Sequence, residues 1–139
     1  MSPHTVALVQ NSWAKLTPIA PQAAELFYTN LFARDPALIP LFRGDMRVQG
    51  QKLMTMIGAA VSKLGAIDTL APVLQGLGRR HSGYGVQPHH YDTVGSALLQ
   101  TLEQGLGEGF TPQVCDAWSQ VYGLIAGVMQ QASKVAEPA

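Results

Sequence analysis

The 139-residue chain is the length of one domain and long enough to bury a substantial core. Hydrophobic residues make up 47% of it and charged residues only 13%, with a formal net charge of zero, so neither a disordered chain nor a nucleic-acid binder with a basic footprint is expected. Cys115 is the single cysteine, which excludes an intramolecular disulfide and a cysteine-rich zinc site.

The start, Met1-Ser2-Pro3-His4-Thr5, has neither a basic run nor an apolar one, and no stretch of about 18 apolar residues is present to span a membrane. The expectation is one cytoplasmic domain over residues 1–139, with 134–139 as a frayed tail. Helical periodicity then appears along nearly the whole chain. Val9, Trp13 and Leu16 recur at i, i+4 and i+7, which predicts a first helix capped by Thr5. Pro18 and Pro21 punctuate it. A second helix runs to about Ala33, with Ala24, Phe27, Tyr28, Leu31 and Phe32 on one stripe. Asp35-Pro36 reads as an N-cap and first helical residue, opening a short helix through Leu41 and Phe42.

Arg43-Gly44-Asp45 reads as a turn. The longer helix after it is expected to bury Gln49, Leu53, Met56, Ile57, Ala60, Val61 and Leu64. Asp68 is placed to cap the next helix, whose apolar stripe is Leu70, Leu74 and Leu77. One turn further along that stripe stands His81, and Gly83 and Gly85 end the helix. Pro88 opens a helix carrying Tyr91, Val94, Leu98, Leu102 and Leu106, and the glycines at 105, 107 and 109 break the chain. Thr111-Pro112 supplies a second cap-plus-proline start for a last helix on Val114, Trp118, Val121, Tyr122, Ile125, Val128 and Met129. No alternating strand pattern and no internal repeat appear. Six or seven helices with short loops make an all-α domain.

Three polar residues interrupt the apolar stripes. His81, taken by its position alone, reads either as a hydrogen-bonded core histidine or as a ligand. Gln49 lies one turn before Leu53, where a buried and unpaired amide costs about 1–3 kcal/mol. Tyr28 is a third. An imidazole, an amide and a phenol facing a common interior point to a cavity whose contents have polar demands. Zinc is not expected to be those contents, because none of His4, His89 and His90 has i, i+4 spacing to His81. His89 and His90 are expected at an exposed helix start, and Cys115 as a small packing residue. The acidic residues fall largely at caps and exposed positions, and neither a Gly-x-Ser-x-Gly nucleophile turn nor a dinucleotide loop is present. What remains is an organic cofactor held by one axial histidine.

Five stretches in order, "LFYTNLFARDPALIPLF" (26–42), "QGQKLM" (49–54), "LGRRHSGYGV" (77–86), "HYDTVGSALLQTL" (90–102) and "AWSQVYGLIAGVM" (117–129), make the sequence resemble a globin. It is similar to bacterial single-domain globins, to the haem domain of flavohaemoglobins and to neuroglobin. The resemblance runs from Trp13 to about Met129 and implies a globin fold of six to eight helices around a pocket for haem b. It places His81 as the proximal ligand to iron and Phe42 against the porphyrin. Tyr28 and Gln49 match a distal pair, with Leu53 filling the apolar side of the ligand pocket. Val86 and Tyr91 fall on the proximal side, and Met56, Leu77 and Val94 among the cofactor contacts. Lys52 and Arg80 read either as partners of the haem propionates or as solvated surface charges.

One departure stands out. The glutamate that flavohaemoglobins carry on the last helix falls on Ser133 here, so the His81 ring N–H is expected to bond a backbone carbonyl or another group instead.

The resemblance also sets the functional expectation: a five-coordinate haem iron that binds O2, NO and CO. Two hydrogen-bond donors imply tight O2 binding, suited to scavenging or to NO detoxification by dioxygenation. No flavin or nicotinamide domain accompanies the haem domain in this sequence, so a separate reductase is the expected partner, with no nucleic acid and no membrane. The alternatives are a simple O2 carrier or storage protein without turnover, a haem-based gas sensor, and a haem-free interaction module of the same fold.

Overall fold

A computed structural model of the chain describes residues 2–42, 44–66, 71–76 and 88–136, with side chains described as far as Gln131. Six α-helices carry the fold: α1 (Pro3–Leu16), α2 (Ala20–Arg34), α3 (Met46–Ser62), α4 (residues 71–76), α5 (Pro88–Leu106) and α6 (Pro112–Ala136). Short 3-10 turns link them at Thr17–Ile19, Pro36–Leu41, Leu64–Ala66 and Gly107–Gly109. No strand occurs among the described residues.

Several helix starts follow from side-chain chemistry. Asp35 caps the Pro36–Leu41 turn by accepting from the Ala37 N–H at 3.1 Å, and Asp45 caps α3 through the Arg47 N–H at 2.8 Å. Thr111 caps α6 by accepting from the Val114 N–H at 3.2 Å. The first cap is not Thr5. Ser2 takes that place, accepting from the Thr5 N–H at 3.1 Å, because Pro3 fits the first helical position, where no N–H is needed. The helix therefore starts three residues earlier than expected and buries Thr5 in its first turn.

The break expected at the glycines 105, 107 and 109 falls at the second of them. Helix α5 continues through Gly105, where a side chain would strike Leu16 Cδ1, and the chain turns at Gly107 with φ +56°. Helix α6 takes in residues 134–136.

The main core gathers α1, α3, α5 and α6 around Val9, Leu16, Leu102, Trp118 and Val121, all almost fully buried. A polar link within it is the Trp118 indole N–H, which donates to Ser12 Oγ at 2.8 Å, while Ser12 in turn donates to the Leu8 carbonyl at 2.7 Å. A second core joins α2 and α5 through Phe27, Tyr28, Leu31, Leu38 and Ala97, and a third joins α4 to α5 and α6 through Leu74, Tyr91, Ala126 and Met129.

The α5–α6 crossing depends on a missing side chain. A Cβ at Gly95 would lie 2.7 Å from Tyr122 Cε2. That ring cannot swing away freely, since the Tyr122 hydroxyl donates to the Tyr91 carbonyl at 2.6 Å. Gly95→Ala is therefore expected to lower unfolding stability by about 1–3 kcal/mol through overpacking. Gly123→Ala, at an exposed α6 position with nothing near the new methyl, is expected to be neutral or to stabilise by up to about 1 kcal/mol. Urea unfolding of both variants checks the contrast.

Candidate functional site

Helix α2 presents Tyr28 on the face turned toward α3. The ring is 8% exposed and stands edge-on to Phe42 at 5.4 Å between centroids, stacked on Phe32 at 6.0 Å and edge-on to Phe27 at 5.3 Å. Phe42 ends the Pro36–Leu41 turn in extended backbone, which brings its ring back over α2. Leu53 from α3 and Val94 from α5 pack against the same cluster. Four of the residues expected at a site, Tyr28, Phe42, Leu53 and Val94, thus meet in one apolar cluster.

The approach of α3 to α2 rests on Gly50, a residue the apolar pattern of α3 passes over. A Cβ there would sit 3.0 Å from Ala24 Cβ and 3.9 Å from Tyr28 Cε2. Gly50 is buried while its neighbour Gln49 is half-buried, so the glycine is the contact point and the amide stands beside it. The signal in the sequence is a glycine inside an otherwise helical pattern, which often marks close backbone packing.

Further along α3, Met56 departs from the expected buried stripe. It is 38% exposed and lines an open groove of about 440 Å³ with Val48, Gln51, Lys52, Thr55 and Ala59. The reason is rotational: with Gly50 and Val61 turned inward, positions 52 and 56 fall toward the groove instead of the core. Tyr91 is buried as expected, but with Leu74 and α6 in the third core and not with Tyr28. Leu77, Arg80, His81 and Val86 lie outside the described residues, as do Arg43, Asp68, Leu70, Gly83 and Gly85.

Burial of the Tyr28 phenol pushes its pKa from an ordinary 10.0 up to about 12, because the charged form would lose solvent. Among the described residues no hydrogen bond from its hydroxyl is found. A protonated phenol O–H in an apolar cluster, with an amide one helix away, offers donors to a small polar guest. The exposed Val48 and Met56 beside Lys52 form an apolar wall with a cationic edge. Those features suit one face of a flat apolar group bearing carboxylates, and haem is such a group.

The described residues form helices in the order of a globin fold. The globin family model matches residues 25–129, and the chain belongs to the globin family. It is 31% identical over 137 residues to a flavohaemoprotein of Xylella fastidiosa, covering 96% of this chain and 34% of that one. It is 32% identical over 143 residues to neuroglobin of Danio rerio, covering 93% and 90%. The chain spans about a third of the length of the flavohaemoproteins it matches.

Among solved structures, an engineered carbene transferase from Rhodothermus marinus superposes with a TM-score of 0.86 at 24% identity, over 97% of this chain and 94% of that one. A flavohaemoglobin from Malassezia yamatoensis with bound FAD and haem gives 0.80 at 23%, over 96% and 37%. Both likenesses concern the fold. Family membership brings a haem cofactor and diatomic gases as ligands. No helix among the described residues is long and apolar enough to cross a membrane.

The raised phenol pKa has a consequence for pH. Its contribution to stability is complete below pH 10 and is lost as the pH climbs toward 12, because the unfolded phenol ionises first. An alkaline titration followed by tyrosinate absorbance is expected to show one group ionising near pH 12 that is missing from Tyr28→Phe.

Proposed function

We propose that the chain binds O2 tightly at a five-coordinate haem b held by His81, with Tyr28 and Gln49 as the distal donors. The Tyr28 phenol, buried against Phe27, Phe32 and Phe42 and kept protonated by that burial, carries this reading. When bound, the haem would supply a ferrous iron able to take up O2, NO or CO.

The side chains do the rest. Tyr28 keeps its proton at all physiological pH and donates it as a hydrogen bond to a polarised diatomic ligand. Gln49 supports it with a neutral N–H from the next helix. Phe42, Leu53 and Val94 exclude water, which keeps those hydrogen bonds strong in a low-dielectric pocket. Met56 borders the cofactor on the α3 side, and Leu77, Val86 and Tyr91 line the proximal side. Lys52 and Arg80 pair with the propionates at the pocket edge. With Ser133 in the place of the flavohaemoglobin glutamate, a backbone carbonyl or another group would take the His81 ring N–H, and the imidazole would be less electron-donating than with a carboxylate partner.

Tight O2 binding suits scavenging or NO detoxification better than delivery, since delivery needs release at working oxygen pressures. In the NO-dioxygenase role, the haem domain draws its electrons from a separate reductase in the cytoplasm. The likeness to flavohaemoproteins supports this role.

A hydrogen bond to a charged or strongly polarised acceptor is worth about 1.5–3 kcal/mol, which corresponds to about tenfold or more in a dissociation rate. Tyr28→Phe is therefore expected to release O2 at least about tenfold faster and to change CO release far less. Flash photolysis or stopped-flow displacement measures both, and an unchanged O2 rate would overturn the distal assignment. For turnover, stopped-flow mixing of the oxygenated protein with NO, with a reductase supplied, is expected to give repeated cycles.

A further inference from the structure

The fold brings together three side chains that take no part in the proposed ligand pocket. Asp35 closes α2, and His89 and His90 open α5, 54 residues later in the chain. One ligand atom from each of the three lies within 4.8 Å of the other two. The imidazoles meet edge-to-face with centroids 4.3 Å apart. We propose that Asp35, His89 and His90 form a surface site for a divalent transition-metal ion of the zinc class, with water completing its coordination.

The donor set fits that ion. Two imidazole nitrogens and one carboxylate oxygen are borderline ligands that suit Zn2+, and three protein ligands with a remaining water position form a common arrangement. At metal–ligand distances of about 2.0–2.2 Å, ligand atoms in a tetrahedron stand about 3.4 Å apart. Atoms already within 4.8 Å reach that spacing by small rotations of side chains that are exposed or half-buried.

The carboxylate is held before any ion arrives. Its Oδ1 accepts from the Ala37 N–H at 3.1 Å, and the Asp35 N–H donates to the Leu31 carbonyl at 3.0 Å. Burial and the neighbouring His89 lower the His90 pKa, with Asp35 opposing them, and a neutral imidazole is the form that binds metal. The α5 N-terminus carries the positive end of a helix dipole and so disfavours a cation, and the Asp35 carboxylate offsets that charge.

The sequence hides this cluster. Adjacent histidines lack the i, i+4 spacing by which one helix face presents two ligands, and the third ligand comes from another element. The site lies apart from the Tyr28 cluster and does not depend on the haem reading. Bound metal would tie the α2 end to the α5 start and so favour the folded state.

The test is calorimetric titration of the haem-loaded, full-length protein with Zn2+ in a non-coordinating buffer. One site per chain is expected. His89→Ala, an exposed position, and Asp35→Asn, which keeps the oxygen that caps Ala37, are each expected to weaken it at least about tenfold. His4→Gln is expected to leave it unchanged. Zinc-edge absorption of the loaded wild type is expected to show two imidazole nitrogens. Absence of Zn2+ binding, or binding that either of the first two variants leaves intact, would overturn the three-ligand site.

Discussion

Helix α2 lies between α3 and α5, and its contact with α3 is possible because Gly50 has no side chain. A methyl at that point would stand 3.0 Å from Ala24 Cβ, and a Cβ cannot rotate out of the way as the tip of a longer side chain does. The two backbones must then separate. Everything proposed for the ligand pocket rests on this approach, because Leu53 reaches the Tyr28 cluster only as far as Gly50 lets α3 come in. The pocket's dimensions are set by backbone proximity first and by the size of its lining residues second.

The sequence carried the helices well and the faces of α3 poorly. Proline and a capping residue announce their own geometry, so Asp35-Pro36 and Thr111-Pro112 stand where they were expected. Apolar spacing placed the stripes of α1, α2, α5 and α6 correctly, since each packs on its neighbours over most of its length. Helix α3 has a less decisive pattern: its buried positions are a glycine and a valine, and its methionines and glutamines leave the rotation ambiguous. Met56 was misjudged for that reason. Thr5 was misjudged because several consecutive polar residues compete for a cap, and Pro3 decides the matter. Of the expected site, Tyr28, Phe42, Leu53 and Val94 were recoverable from the apolar stripes and the resemblance together. The Asp35–His89–His90 grouping was not, because its members share no element and no spacing.

Polar groups are sparse in this interior, and each has a distinct job. Trp118 and Ser12 satisfy each other, so that the largest core side chain carries no unpaired donor into the apolar centre. Thr101 returns its hydroxyl proton to the Ala97 carbonyl at 2.8 Å, which leaves its oxygen able to accept from elsewhere. Tyr28 differs from both. Its hydroxyl is kept protonated by burial, which is the state the proposed donor role requires.

Two residues after Tyr28, and about 160° around the helix, Asn30 donates to Thr101 Oγ1 at 3.0 Å and to Gln104 Oε1 at 2.9 Å, both on α5. A paired amide tolerates neither a slide nor a twist of its helix, because its two acceptors fix it in both respects. Asn30 thus works as a key that sets the azimuth of α2, with the phenol on the opposite flank turned to match. The setting of Tyr28 is tunable from the far side of its own helix, through a residue anchored to α5.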